Sequence, residues 1–327
     1  MTFQTHVNVY PGIGVAGARA SQNPIAAVVA GQLGLVAGAG GTTVGKFAWN
    51  TYPTAGGPGQ ANSQCLTGLV PDGFVSNVQQ ALITTWLGED SMVVPAGYPI
   101  VEMEIGDFFA NNPYAEAVIG QKVFVNLFSG DVLGGTAGSF PTNEIGTAAV
   151  IGSATTSLTN PYQVTISSLT SGVLEPGQQV FGLSTTQRVY IDNLGTWNGT
   201  TGYIVINTPV TAAQTAVALT TTTPSGAGGG AIVASGNPGV TLTIASIVAG
   251  SQVLPGQFVQ PGSGIPSGTY IASLGTFNGA TGTVVLSQAI TATITSATLT
   301  LSAFIETPWK ILSAANVGDL VKIGIRP

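Results

Sequence analysis

Apolar and polar residues in this chain alternate in short runs, and glycine, proline or asparagine breaks each run. Val101-Glu102-Met103-Glu104-Ile105 alternates cleanly, which sets both glutamates on one face of a strand and the apolar residues on the other. Tyr203-Ile204-Val205-Ile206 and Thr283-Val284-Val285-Leu286 are the β-branched and aromatic runs that strands favour. Met92-Val93-Val94-Pro95-Ala96-Gly97-Tyr98-Pro99 reads as strand, turn, strand, and residues 78–87 read as a further strand rather than a short helix. The pattern predicts an all-β chain of short strands and tight turns.

Two segments repeat. The first holds Val164-Thr165-Ile166-Ser167-Ser168, then Pro176-Gly177-Gln178-Gln179-Val180, then Leu194-Gly195-Thr196-Trp197-Asn198-Gly199. The second holds Leu242-Thr243-Ile244-Ala245-Ser246, then Pro255-Gly256-Gln257-Phe258-Val259, then Leu274-Gly275-Thr276-Phe277-Asn278-Gly279. Three matched blocks in order predict two tandem β modules, sandwich or barrel-like, over 150–222 and 238–302. Asn-Gly tolerates positive φ at both central positions of a tight turn, so Asn198 and Asn278 mark hairpin tips, with Trp197 and Phe277 beside them. Between the copies, Pro224-Ser225-Gly226-Ala227-Gly228-Gly229-Gly230 has the composition of a linker. A second pattern, a glycine and a polar residue ahead of a strand, recurs at Gly120, Gly177, Gly256 and Gly318, where glycine would turn a barrel corner.

Outside the repeats the texture changes. Residues 1–149 and 303–327 hold 17 of the 20 charges, and six of the thirteen acids fall between Glu89 and Glu116. The simplest architecture is a small β-barrel or β-tulip-like base domain built from both chain ends, 59–149 plus 303–327, with the repeat pair inserted as a projection. On that reading the base folds without 150–302. Residues 1–58, rich in Gly and Ala, read as an extended arm that forms no core of its own but can add a strand to another sheet.

Composition narrows the function. Only 6% of the 327 residues are charged, against about 25% in an ordinary domain, while 44% are hydrophobic and the net charge is −6. That combination is not the signature of disorder. The most apolar stretch, 25–41, is broken by Gln32 and several glycines and falls short of a membrane span. No basic segment precedes an apolar core, so no secretory signal is expected. Seven basic residues scattered singly cannot neutralise a row of phosphates, which argues against nucleic acid as a partner. The single cysteine, Cys65, rules out an intrachain disulfide, and the single histidine, His6, leaves little for metal binding or acid–base work. No cofactor, metal or catalytic residue is expected.

Four motifs bear on possible chemistry. Gly12-Ile13-Gly14-Val15-Ala16-Gly17 has the dinucleotide spacing but lacks the following helix, and no acid occurs before Asp72. Gly40-Gly41-Thr42-Thr43-Val44-Gly45-Lys46-Phe47 approaches a phosphate loop, yet Phe47 stands where Ser or Thr must hold Mg²⁺. Glu102 and Glu104, roughly 7 Å apart on one strand face, could be a glycosidase pair; solvated surface acids are the commoner outcome. Asn198-Gly199-Thr200 fits a glycosylation sequon, but its twin Asn278-Gly279-Ala280 does not, and the turn explains both.

Phe3-Gln4-Thr5, Gly14-Val15-Ala16-Gly17, Asn23-Pro24, the run from Val36-Ala37-Gly38 to Val44-Gly45-Lys46-Phe47-Ala48-Trp49, and Met92-Val93-Val94-Pro95-Ala96-Gly97 resemble the structural cement (head decoration) proteins of tailed bacteriophages. Trp309-Lys310-Ile311-Leu312-Ser313-Ala314-Ala315 and Gly318-Asp319-Leu320-Val321-Lys322-Ile323 are similar to the end of the same family. The likeness covers 1–130 and 303–327; the repeats resemble β modules of phage surface proteins. It implies a non-enzymatic virion protein on the outer capsid surface that stabilises the major capsid protein lattice, as a homotrimer or, second, a dimer. Phe3, Gln4, Val15, Asn23, Val44, Phe47 and Trp49 are then the candidate contacts to capsid or neighbouring subunits. The competing expectation is an adhesin whose repeats bind host carbohydrate through Trp197 and Phe277; exposed aromatics at the tips would favour it and packed ones would not.

Overall fold

The computed structural model describes residues 14–39, 41–52, 57–63, 70–77, 92–127, 129–141, 149–172, 174, 178–185, 189–206, 208–221, 231–247, 253–262 and 264–325. Among them every regular element is a strand, so the chain is all-β. The strands are β1 (Ala26–Ala27), β2 (Leu35–Ala37), β3 (Thr42–Thr43), β4 (Phe47–Thr51), β5 (Gly59–Asn62), β6 (Gly73–Val75), β7 (Val93–Val94), β8 (Glu102–Asn111), β9 (Lys122–Asn126) and β10 (Val132–Gly135). The first repeat supplies β11 (Val150–Thr156), β12 (Gln163–Ser171), β13 (Gln179–Phe181), β14 (Val189–Asn193), β15 (Gly202–Ile206) and β16 (Gln214–Thr221). The second supplies β17 (Ala231–Gly236), β18 (Gly239–Ile247), β19 (Ile271–Leu274), β20 (Gly282–Ile290) and β21 (Ile294–Thr300); β22 (Phe304–Ile311) and β23 (Leu320–Ile325) close the chain.

The base is one sheet in the order β10-β9-β22-β23-β8-β6-β4-β5-β2, with β1 added on β8. Both chain ends therefore build it. The sheet rolls until β4 meets the β9–β10 hairpin. There the Phe47 N–H donates to the Gly130 carbonyl at 2.9 Å, and Lys46 Nζ lies 3.2 Å from Asp131 Oδ2. Among the described residues no ladder seals this seam, so the barrel is incompletely closed. Phe47, Phe74, Phe108 and Trp309 fill its interior with ring centroids 5.3 to 6.2 Å apart, and such pairs add about 0.5–1.5 kcal/mol each beyond their burial. On the other face Ala48 and Val75 join Leu35, Ala37, Ala61, Val94 and Ile100 in a second cluster. β4 and β6 are buried on both faces, which is why Gly73-Phe74-Val75 shows no polar alternation.

These contacts correct two expectations. Residues 35–51 do not form a detached arm: β2 and β4 are members of the base sheet, and Phe47, Ala48 and Trp49 are core. The small residues that looked unable to build a core instead let backbones close in, with Ala37, Ala48 and Ala61 fully packed. Glu102 and Glu104 are not a solvated pair. Glu102 is 1% exposed beside buried Met103, and Glu104 faces water. Glu102 is covered by neighbours, Asn50 Nδ2 donating to its carboxylate and Val28 N–H to its carbonyl, both at 2.9 Å. The strand expected over 78–87 lies outside the described residues.

The first repeat is a closed barrel, β11-β12-β15-β14-β13-β16. Its interior is Ile151, Val164, Ile166, Ile191, Ile204, Ile206 and Leu219, and the Thr and Ser between them face out. The second repeat runs β19-β20-β18-β17-β21, the same order as β14-β15-β12-β11-β16. In the first copy β13 bridges β14 and β16, pairing Val180 with Val189 and with Thr221. In the second that strand shrinks to the bridges Phe258–Tyr270 and Val259–Leu301. The copies share even their irregularities. Ala154 pairs Val217 and Thr156 pairs Gln214, leaving Ala216 bulged at φ 52°; Ala234 pairs Ala297 and Gly236 pairs Ile294, leaving Ser296 at φ 45°. The second copy begins at Ala231, earlier than 238, because its first strand, Ala-Ile-Val-Ala-Ser-Gly, follows the glycine run and is too small-residued to stand out.

The Asn-Gly tips also differ from expectation. Gly199 and Gly279 have φ 96° and 95°, but the asparagines do not enter the positive region. Each asparagine instead caps its loop through its side chain. Asn198 Oδ1 accepts from the N–H groups of Thr200 and Thr201, and Asn278 Oδ1 from those of Ala280 and Thr281, all at 2.9 to 3.0 Å. Of the four glycines set ahead of strands, Gly120, Gly256 and Gly318 have φ 85° to 90°, a region glycine enters without steric cost; Gly177 lies outside the described residues.

The second repeat is not a simple projection. Leu254 and Phe258 belong to the base core, with the Phe258 ring 5.9 Å from Phe124. Leu301, Ser302 and Ala303, which carry β21 into β22, are all buried, and Gln257 Nε2 donates to the Ser302 carbonyl at 3.1 Å. The core of the first repeat is drawn wholly from its own residues, Ala149 to Leu219.

Candidate interaction surface

The segment before β2 is laid along β8 and held there by its backbone. Gly17 N–H donates to the Phe109 carbonyl, Ala20 N–H to Asp107 and Val28 N–H to Glu102, at 2.7 to 2.9 Å. Side chains add to this. Asp107, itself 1% exposed, accepts from Ser21 Oγ and Asn23 Nδ2, both at 2.6 Å. Gly17 passes so near the turn between β3 and β4 that a Cβ there would lie 2.4 Å from Val44 Cγ1, and its φ is 81°. This contact accounts for the last of the dinucleotide-like glycines. The phosphate-loop-like lysine, Lys46, is likewise spent on Asp131.

Pinned in this way, the segment turns apolar side chains outward. Val29 is 88% exposed, Leu33 63% and Val15 53%, with Ile25 exposed between them, and Tyr52 stands beside Gly31. Their gathering on one pinned segment makes it the candidate interaction surface. Of the expected contacts, Val15 is on this surface and Asn23 is half-buried as its anchor. Val44, Phe47 and Trp49 are core residues of the chain itself and are not available to a partner. Phe3 and Gln4 lie outside the described residues, as do His6 and Cys65. Val29, Leu33 and Tyr52 went unmarked in the sequence; for Val29 and Leu33 the signal was the apolar stretch from residue 25, which shows neither a strand nor a helix period.

Beneath the segment lies a buried acid. Burial pushes the Glu102 carboxyl up to about 7; the Asn50 Nδ2 hydrogen bond to its Oε2 at 2.9 Å opposes this, and the charge of Asp72 adds to it. The Tyr52 hydroxyl is raised as well, by desolvation first and then by Asp72 and Glu102. Glu102 is buried whereas Glu104, two residues along the same strand, is exposed, so the two acids sit in different surroundings. Among the described residues no three of His, Cys, Asp or Glu gather as a metal site, and no helix is long and apolar enough to cross a membrane.

Trp197 and Phe277 do not stand free at their tips. Each is half-buried and packed against the core of its own module, while Asn198 and Asn278 face water.

Residues 3–165 match the family described as XM1 gp53 minor capsid protein. This supports a phage capsid-associated structural protein. The match takes in the pinned segment, the whole of β1 to β11 and the first residues of β12, so it enters the first repeat instead of stopping before it. No curated protein and no solved structure matches the chain.

Proposed function

We propose that this chain is a cement protein: it attaches to the outside of an assembled phage shell, as a homotrimer, and stabilises the major capsid protein lattice without catalysis. The observation that carries this reading is the minor capsid family match over the segment that bears Val15, Ile25, Val29 and Leu33. An apolar stretch held rigid by β8 can bury against a neighbour without first losing conformational entropy, which is how a preorganised surface gains affinity. The carbohydrate-binding alternative draws less support. Trp197 and Phe277, half-buried against their own cores, present less ring to a sugar than free aromatics at a loop tip would.

The test is to mix the purified chain with bare expanded shells of the cognate major capsid protein and image them. Density at regular positions on the outer surface, together with a raised shell melting temperature, is expected. Shells that stay bare, with the chain instead binding host cells, would replace this reading with the adhesin.

A further inference from the structure

Resting on that reading, we propose that the outer face of β9, β22 and β23 is a second docking surface. Lys122, Lys310 and Lys322 there, beside the cavity at the junction with the second repeat, receive a carboxylate-bearing surface of the capsid subunits. Three observations support it. Register sets Lys122 and Lys310 directly opposite each other on paired strands. Lys310 alternates with buried Trp309 and Ile311, and Lys322 with buried Val321 and Ile323, so their side chains leave the sheet on its outer side. The Lys322 carbonyl accepts from Leu312 N–H, two residues past Lys310, which keeps the third lysine close to the pair.

Facing like charges across a ladder destabilise it unless something neutralises them. Among the described residues none of the three lysines has a carboxylate within 4.0 Å, and the Lys46–Asp131 ion pair lies elsewhere, at the seam of the base. Two acids of the same sheet have other work. Glu306 Oε2 accepts from Gly138 N–H at 2.7 Å, and Asp107 holds Ser21 and Asn23. Three of the chain's four lysines are thus gathered on one face, without an ion-pair partner among the described residues.

Beside them opens a cavity of about 400 Å³ between the sheet and the second repeat. Phe258, Tyr270, Ile305 and Pro308 line it, with Lys122 and Glu306 also at its wall, the latter held by Gly138 N–H. An apolar hollow edged by Lys122, with Lys310 paired to it and Lys322 beyond on the same sheet face, fits an acidic polypeptide surface that inserts one bulky apolar side chain, the anchor-and-rim arrangement of protein interfaces. The capsid subunits are the occupant this assigns, by charge complementarity to the unpaired lysines.

The experiment compares the wild-type chain with the Lys122→Gln/Lys310→Gln/Lys322→Gln variant on bare shells at low and high salt, with sedimentation of each free chain as a second measurement. The expected result is about a tenfold or larger loss of shell affinity in the variant, and wild-type affinity that falls with salt while the variant's does not. Wild type that decorates shells while the variant does so equally overturns this inference and leaves the proposed function standing. Wild type that ignores shells overturns both. A variant that keeps shell binding but changes oligomeric mass shows that the face joins copies of this chain, which also overturns it. If the variant does not fold, the wild-type salt dependence decides alone: salt-independent attachment excludes the lysine face.

Discussion

Residues 149–221 and 231–301 share strand order, a bulge at one position and an asparagine-capped loop, yet they meet the rest of the chain differently. The first copy encloses a core made only of its own residues. The second lends Leu254 and Phe258 to the base. Matching the bridge Val259–Leu301 to the pair Val180–Thr221 aligns Phe258 with Gln179 in sequence, while Leu254 answers to Leu174, which packs in the first copy's own core. One position thus changes from polar to apolar between the copies, and a leucine common to both serves a different core. The shared pattern dictates the barrel, and these two positions decide whether that barrel stands alone. Fusion also explains why the second copy can dispense with a full β13: the β22 side of the base supports the same place.

The sharpest way to break this comparison is excision. Val150 pairs Thr220, so the ends of the first copy lie side by side and a short Gly-Ser joint can close the gap. Removing 149–221 is expected to leave the base and second repeat melting as in the intact chain. Removing 231–301 strips Leu254 and Phe258 from the base core and is expected to abolish its cooperative melt. Calorimetry and limited proteolysis read both, and a base that melts cooperatively without 231–301 would end the distinction.

Point changes give the next largest effect. Phe258→Ala should cost about 3–5 kcal/mol and Ile191→Ala about 2–5 kcal/mol, from lost transfer energy and the cavity left behind. What distinguishes them is where the loss appears. In hydrogen exchange, Phe258→Ala is expected to weaken protection in β9, β22 and the second repeat together, whereas Ile191→Ala weakens only 149–221. Spread of the Ile191 effect into the base would show that the two bodies are coupled after all.

How much of the fold is legible in the sequence varies with the physics. Alternation at Val164-Thr165-Ile166 or Leu242-Thr243-Ile244 reports a strand with one wet face, so the all-β class and the two modules can be read directly. A strand covered on both sides carries no such period, and Phe47-Ala48-Trp49 reads as part of an arm because its neighbours are Gly and Ala. Exposed Val29 and Leu33 are hard to separate from core residues, since only the distant Asp107 and the β8 backbone decide which way the segment faces. The lysine face is invisible for a related reason: Lys122 and Lys310 are far apart in sequence and meet only through the β9–β22 register.

The smallest expected effect uses pH to mark which bodies melt together. Glu102 lies in the base, and its folded carboxyl is raised from the ordinary value of 4.5 to about 7. Above the unfolded value the unfolded chain has released this proton while the folded chain still holds it, so folding is favoured by protonation. The contribution is fully present below 4.5 and is lost as pH rises through 7. At 1.36 kcal/mol per unit, the loss between about pH 5 and pH 7 is on the order of 2 kcal/mol. Glu102→Gln removes the titration and should flatten that part of the profile while raising stability at about pH 8. If the second repeat is fused to the base, its melting follows the same pH curve and flattens in the same variant. The first repeat, with a separate core, should ignore both changes; a pH response there that Glu102→Gln abolishes would show that its stability is linked to the base.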